Sequence, residues 1–194
     1  MGSPDRVPAP DMPDGRRRWL VAGQQLLRDG GIPAVKLLAL VDRTGLTTGS
    51  FYHHFGSMAV YLDELASFYG SERPPELLER IDATDPRARL EQLERLAHDE
   101  RMRPLDRAMR DWAGSNDAAA LAVRASDEHL LRFMEAAFGD LGHARDDARL
   151  RAIVLLSVGV ARVHPPWPTP RRAHTRLLDL LAGTDDRSHE ESPI

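Results

Sequence analysis

The chain has 194 residues, 42% hydrophobic and 29% charged, a profile that fits a folded globular protein and excludes a disordered polyelectrolyte. It has no cysteine, which excludes disulfides, iron–sulfur clusters and thiol chemistry, and no apolar run approaches the roughly 18 to 20 residues of a membrane-spanning helix. The formal net charge of -4 offers no general attraction to nucleic acid, so a role of that kind has to be carried by a local motif.

Residues 1–13 are rich in proline and polar side chains, lack the apolar stretch of a signal peptide, and read as a disordered arm. Over 16–29, Trp19, Ala22, Gly23, Leu26 and Leu27 recur at helical spacing, and Asp29-Gly30-Gly31 ends that helix. A second helix is expected over 35–43, with Leu37, Leu40 and Val41 inward. Thr44-Gly45-Leu46 is a tight turn, where a side chain at 45 would oppose both the reversal and the approach of the next helix. Thr47 is placed to cap a third helix running to 55 by accepting the Ser50 amide. Ser57 caps a fourth, over 58–69, which Gly70 and Pro74-Pro75 are expected to interrupt.

Beyond that expected boundary, Asp85-Pro86 opens a helix carrying Leu90, Leu93, Leu96 and Ala97, and Pro104 is expected to end or kink it. A short helix over 105–113, a turn at Gly114-Ser115-Asn116 and a long helix over 117–138 closed by Gly139 follow. Over 146–163 the residues Leu150, Ile153, Val154, Leu155, Leu156, Val158, Val160 and Ala161 leave almost no polar face, so that helix is expected to be buried on more than one side. Pro165-Pro166-Trp167-Pro168 is a stiff connector. Thr169 and Pro170 then start a last helix ending at Gly183, with Ala173, Leu177, Leu180 and Leu181 on one face and Leu178 elsewhere. No segment alternates as a strand, and the class expected is all-α.

The function is carried by Asp42-Arg43-Thr44-Gly45-Leu46-Thr47-Thr48-Gly49-Ser50-Phe51-Tyr52-His53-His54-Phe55-Gly56-Ser57. Short helices around a tight turn form a helix-turn-helix, whose last helix can lie in a major groove with its N-terminal residues at base edges. This stretch resembles the TetR family of bacterial regulators, and the similarity extends from Trp19 to about Tyr69. The resemblance implies that Tyr52 binds backbone phosphate, that Thr48 and His53 meet bases, and that Ser50 and His54 support the contact. Lys36, Thr47 and Gly49 complete the candidate DNA-binding set, and Phe51 and Phe55 look like packing residues. Met58 stands where the family has a lysine or arginine, and Val35 where a threonine caps the second helix and touches phosphate. Residues 1–70 hold seven Lys or Arg against seven Asp or Glu, but Arg16, Arg17 and Arg18 open the first helix, where they could reach a flanking phosphate.

The resemblance further implies a DNA-binding domain over 14–70, a helical effector-binding and dimerisation domain over 71–183, and a disordered tail over 184–194. Met102, Met109, Trp112, Phe133, Met134 and Phe138 are candidates to line an effector cavity, against the plainer reading of core packing. Met109-Arg110-Asp111-Trp112-Ala113 and the helix at 121–138 also look like the C-terminal domain of a TetR subgroup. Ile153, Leu156, Val160, Leu177, Leu178 and Leu181 are the candidate dimer interface.

The expected protein is therefore a cytoplasmic bacterial repressor without cofactor or metal. It binds a palindromic double-stranded DNA operator as a homodimer, is released by an unidentified small molecule, and has no membrane partner. His53-His54 diverge too far on a helix to share a metal, and His98-Asp99-Glu100 and Arg171-Arg172 read as solvated surface. Two other readings stand beside it: a dimeric helical scaffold whose DNA-reading head has degenerated, and an enzyme using the helical body. The second lacks a phosphate loop, a nucleophile motif and a paired acid and base.

Overall fold

The computed structural model describes residues 14–97, 103–160 and 173–183. Among them no strand occurs. The helices are α1 (Asp14–Gly30), α2 (Leu37–Thr44), α3 (Thr48–Phe55), α4 (Met58–Leu78), α5 (Pro86–Ala97), α6 (Arg103–Ala113), α7 (Asp117–Asp140), α8 (Arg145–Val160) and α9 (Ala173–Ala182), with one 3₁₀ turn at Ile32–Ala34. The all-α class read from the sequence is the class observed. The arm, the tail, Met102, the His98-Asp99-Glu100 run, Ala161, the proline connector, Thr169-Pro170 and Arg171-Arg172 lie outside the described residues.

The chain forms two compact units. The first holds 14–76 and 103–126, so α6 and the first turns of α7 pack with the helix-turn-helix; the second holds 77–97, 127–160 and 173–183. In the first unit one apolar core joins Trp19 and Leu27 of α1, Leu40 of α2, Phe51 and Phe55 of α3, Tyr61 and Leu65 of α4, and Leu105, Met109 and Trp112 of α6. Full burial of each such side chain is worth about 1.5–3 kcal/mol. Gly23, buried in mid-α1, leaves room for α4: a methyl there would overlap the Tyr61 hydroxyl and crowd Leu65. That hydroxyl donates to the Trp19 carbonyl at 2.9 Å, and burial pushes the Tyr61 phenol well above its ordinary range.

Several local signals yield to this packing. The second helix begins at Leu37, after the 3₁₀ turn; Val35 is buried in the core, and the N-cap is Lys36, whose side chain makes no cap bond. Gly45 adopts φ 67° and nothing lies near the place of its Cβ, so the turn requires its left-handed backbone and not the expected close approach. Gly70 does not break α4, which runs on to Leu78 with Pro74 and Pro75 inside it. At Gly70 a Cβ would stand 3.2 Å from both the Cα and the carbonyl oxygen of Ala122, so this glycine serves the crossing of α4 and α7. Pro104 sits in the first turn of α6, where its missing N–H has no intrahelical partner to lose. Helix α7 passes through Gly139, and the left-handed residue that follows it is Gly142 at φ 96°.

In the second unit the Asp85 carboxylate caps α5 by accepting the Ala88 amide at 2.8 Å, and α5 buries Leu90 and Leu93. Arg151 of α8 donates to Asp147 at 2.8 Å and to the Leu181 carbonyl of α9 at 2.6 Å, which fastens these two helices. Within this one chain α8 is buried on a single side. Its buried residues are Ala148 and Ala152, while Leu150 is 58% exposed and Ile153 and Val158 are exposed as well. On α9 Leu178 and Leu180 lie on different faces, as expected: Leu178 is 1% exposed and Leu180 is 77% exposed.

Candidate nucleic-acid interface

Helix α3 is eight residues long, too short to be stable by propensity alone, and is fixed from both ends and from behind. At its start Thr47, in extended backbone, accepts the Ser50 amide through its hydroxyl at 3.2 Å. At its end Gly56, at φ 67°, returns its amide to the Tyr52 carbonyl. Phe51 and Phe55, one turn apart, face inward: Phe51 meets Trp19 edge-on at 5.4 Å and Tyr61 at 5.1 Å, and Phe55 meets Tyr61 at 4.9 Å between ring centres.

The opposite face is open. Thr48, Gly49, Tyr52 and His53 are exposed, Tyr52 by 50%, and Thr47 is exposed beside them. Ser50 and His54 are half-buried; the His54 ring lies against Gly15 of α1, and the His53 and His54 ring centres are 5.3 Å apart. Lys36 is exposed at the head of α2 and makes no ion pair among the described residues. The first turn of α3 holds no acidic residue, so the positive end of its dipole is not offset there.

The expectation that the arginines at the start of α1 reach phosphate is corrected, since all three turn back on the protein. Arg16 donates to Glu64 and to the His54 carbonyl, Arg17 pairs with Glu72 at 3.6 Å, and Arg18 donates to the Thr44 carbonyl at 2.9 Å. Their partners are 26 to 55 residues distant along the chain, beyond any local pattern. Arg43, near the turn, pairs with Asp29 at 3.0 Å.

The candidate effector residues do not gather in one unit. Met109 and Trp112 belong to the core of the first, whereas Phe133, Met134 and Phe138 belong to the second, the last two buried and Phe133 half-buried. A cleft of about 450 Å³ in the first unit runs between the end of α1 and α6, and of the candidates only Trp112 lines it. Among the candidate dimer residues Ile153 is exposed, Leu156, Val160, Leu177 and Leu181 are half-buried, and Leu178 points into its own unit, so it is withdrawn from that set. Among the described residues no helix is long and apolar enough to cross a membrane.

Residues 20–65 match the family model described as bacterial regulatory proteins, tetR family. No curated protein matches the sequence. Solved structures resemble the fold over most of the chain. A transcriptional regulator of Streptomyces coelicolor A3(2) is 19% identical, with a TM-score of 0.68 over 89% of this chain and 100% of that one. A transcriptional regulator of Rhodococcus sp. Rha1 is 17% identical, with a TM-score of 0.64 over 86% and 93%. A TetR transcription regulator of Haloarcula marismortui is 21% identical, with a TM-score of 0.63 over 88% and 94%. At these identities the structures speak for the fold, and the matched segment coincides with the helix-turn-helix whose polar face has just been described; residues 20–65 are a DNA-binding segment of the kind found in bacterial regulatory proteins of the tetR family.

Proposed function

We propose that this regulator is a dimeric repressor that reads a near-palindromic operator with α3 and leaves it when a small molecule binds. The observation that carries the reading is the two-sidedness of α3: Phe51 and Phe55 are locked in the core while Thr48, Tyr52 and His53 stand open. In this reading Thr48 and His53 meet base edges, Tyr52 and Lys36 meet phosphates, and Thr47, Gly49, Ser50 and His54 shape the approach. Residues 14–70 form the reading head, and residues 71–183 bind the effector and the second protomer.

Dimerisation through α8 and α9 is supported by the exposed Leu150, Ile153, Val158 and Leu180, a set of large apolar side chains that a lone chain leaves in water. A two-fold axis would then set two copies of α3 about 34–36 Å apart, one turn of duplex DNA. The effector acts by favouring a body conformation in which α4 and α6 shift. The Tyr69 hydroxyl joins these helices by donating to Asp106 at 2.8 Å. The protein works by binding and not by turnover, in the bacterial cytoplasm where its DNA lies.

The test is selection from a random duplex pool with the purified full chain, followed by anisotropy at several salt concentrations. A two-half-site motif supports the reading. The expected salt slope is shallow for a dimer, because α3 has few free cations beside it and each neutralised phosphate contributes about 0.9 to the slope. Enrichment of no sequence overturns the reading and favours the scaffold alternative. Operator affinity unchanged across a metabolite library removes the switch alone.

A further inference from the structure

Arg16 and Arg18 lie two residues apart near the start of α1, and each reaches the C-terminal end of a different helix of the helix-turn-helix. A helix end presents carbonyls without intrahelical partners and a partial negative charge, which a guanidinium satisfies by hydrogen bond and by charge together. Arg18 donates to the carbonyl of Thr44, the last residue of α2, at 2.9 Å. Arg16 donates through Nη1 to the carbonyl of His54, in the last turn of α3, at 3.1 Å.

Arg16 makes further contacts. Its Nε donates to Glu64 Oε2 of α4 at 3.0 Å, its Nη2 pairs with the same oxygen, and the guanidinium lies 5.1 Å from the centre of the Phe55 ring. A single side chain thus joins α1, the end of the recognition helix and the middle of α4, with Arg16 and Glu64 each about two-thirds withdrawn from solvent.

The packing of Phe51 and Phe55 on Tyr61 holds α3 at a distance from α4, but apolar contact is non-directional and permits sliding and tilting. A guanidinium is planar, with donors in fixed directions, so Nη1 keeps the His54 carbonyl only while the Nε edge keeps Glu64. A shift of about 1 Å in α4 carries one of these bonds beyond hydrogen-bond range.

We propose that Arg16 and Glu64 are positioning residues for sequence recognition, transmitting the position of α4 to the orientation of α3. This rests on the DNA-binding reading above and adds the route by which it is regulated. Base-edge hydrogen bonds are lost with small tilts of the reading helix, whereas attraction to phosphate is far less directional. Release of the link therefore lowers affinity for the preferred sequence and leaves affinity for arbitrary DNA nearly untouched.

The experiment uses the full chain, the duplex it enriches from a random pool, and a scrambled duplex of equal length at the same salt, well below each variant's melting temperature. R16Q and E64Q are each expected to lose on the order of ten-fold on the enriched duplex and less than about two-fold on the scrambled one. R16K retains the charge but not the fork that holds both partners, and is expected to behave like R16Q. R16Q/E64Q is expected to lose no more than R16Q, because the two residues act as one unit. General electrostatics would instead make E64Q bind more tightly, since it removes a negative charge. That outcome overturns the proposal, as do unchanged affinity, equal losses on both duplexes, or additive losses in the double variant. If wild type enriches a sequence and the variants bind it like wild type, this link fails and the DNA-binding reading stands; if wild type enriches nothing, both fall.

Discussion

Helices α3 and α8 distribute their side chains in opposite ways. The short helix α3 turns its large apolar residues, Phe51 and Phe55, into the core of its own unit and its polar residues outward. Twice as long, α8 turns only Ala148 and Ala152 inward and leaves Leu150, Ile153 and Val158 in the open. The first surface is complete within one chain and offers hydrogen-bonding groups, while the second is finished only when another apolar surface covers it. The two together suit a protein that pairs with itself at one place and with a polar, charged polymer at another.

The largest expected effect concerns assembly. Glutamates at two exposed positions of α8, in L150E/I153E, would bury charge at the proposed interface, and sedimentation is expected to show a monomer at concentrations where wild type is a dimer. A variant that still sediments as a dimer removes α8 from the interface. Next, Phe51→Ala deletes a fully buried ring at the centre of the aromatic cluster and is expected to destabilise the protein by about 3–5 kcal/mol in denaturant unfolding. A loss below about 1 kcal/mol would mean that α3 is not held from behind as described.

Alkaline pH gives a smaller effect. Burial raises the phenol of Tyr61, and burial followed by the charge of Asp106 raises that of Tyr69. For an acid whose folded-state pKa is raised, the stability contribution is complete below the unfolded value near 10 and is lost as pH rises through the folded pKa. Unfolding free energy is thus expected to begin falling near pH 10, by about 1.4 kcal/mol per tyrosine at pH 11, and Y61F and Y69F should each flatten the fall. The smallest change, Thr47→Ala, removes the N-cap of α3 and is expected to cost about 1 kcal/mol. Operator affinity should fall with it, and unchanged melting and binding would show the cap to be idle.

What the sequence disclosed was what is written locally. Thr47, Gly45 and the spacing of Phe51 and Phe55 define the recognition helix within a dozen residues, and the helix has those caps and that buried face. The length of α4 is not legible in sequence because Gly70 and the two prolines look like local breakers, whereas Gly70 answers to the close approach of Ala122, 52 positions away. The apolar surround of α8 was legible, but composition alone does not distinguish burial within one chain from a surface awaiting a partner. Arg16 resembled a phosphate ligand for the same reason: its charge is visible in sequence, and its partners His54 and Glu64 are 38 and 48 residues off.

The most direct measurement is a second selection from the random pool with His53→Ala and Thr48→Ala proteins, compared position by position with the wild-type motif. If the open row of α3 touches base edges, each substitution relaxes the preference at its own symmetric pair of positions, by about 1–3 kcal/mol of discrimination per pair, and leaves the remainder of the motif intact. An unaltered motif from both proteins would contradict the account, because the sequence would then be read by some other part of the molecule.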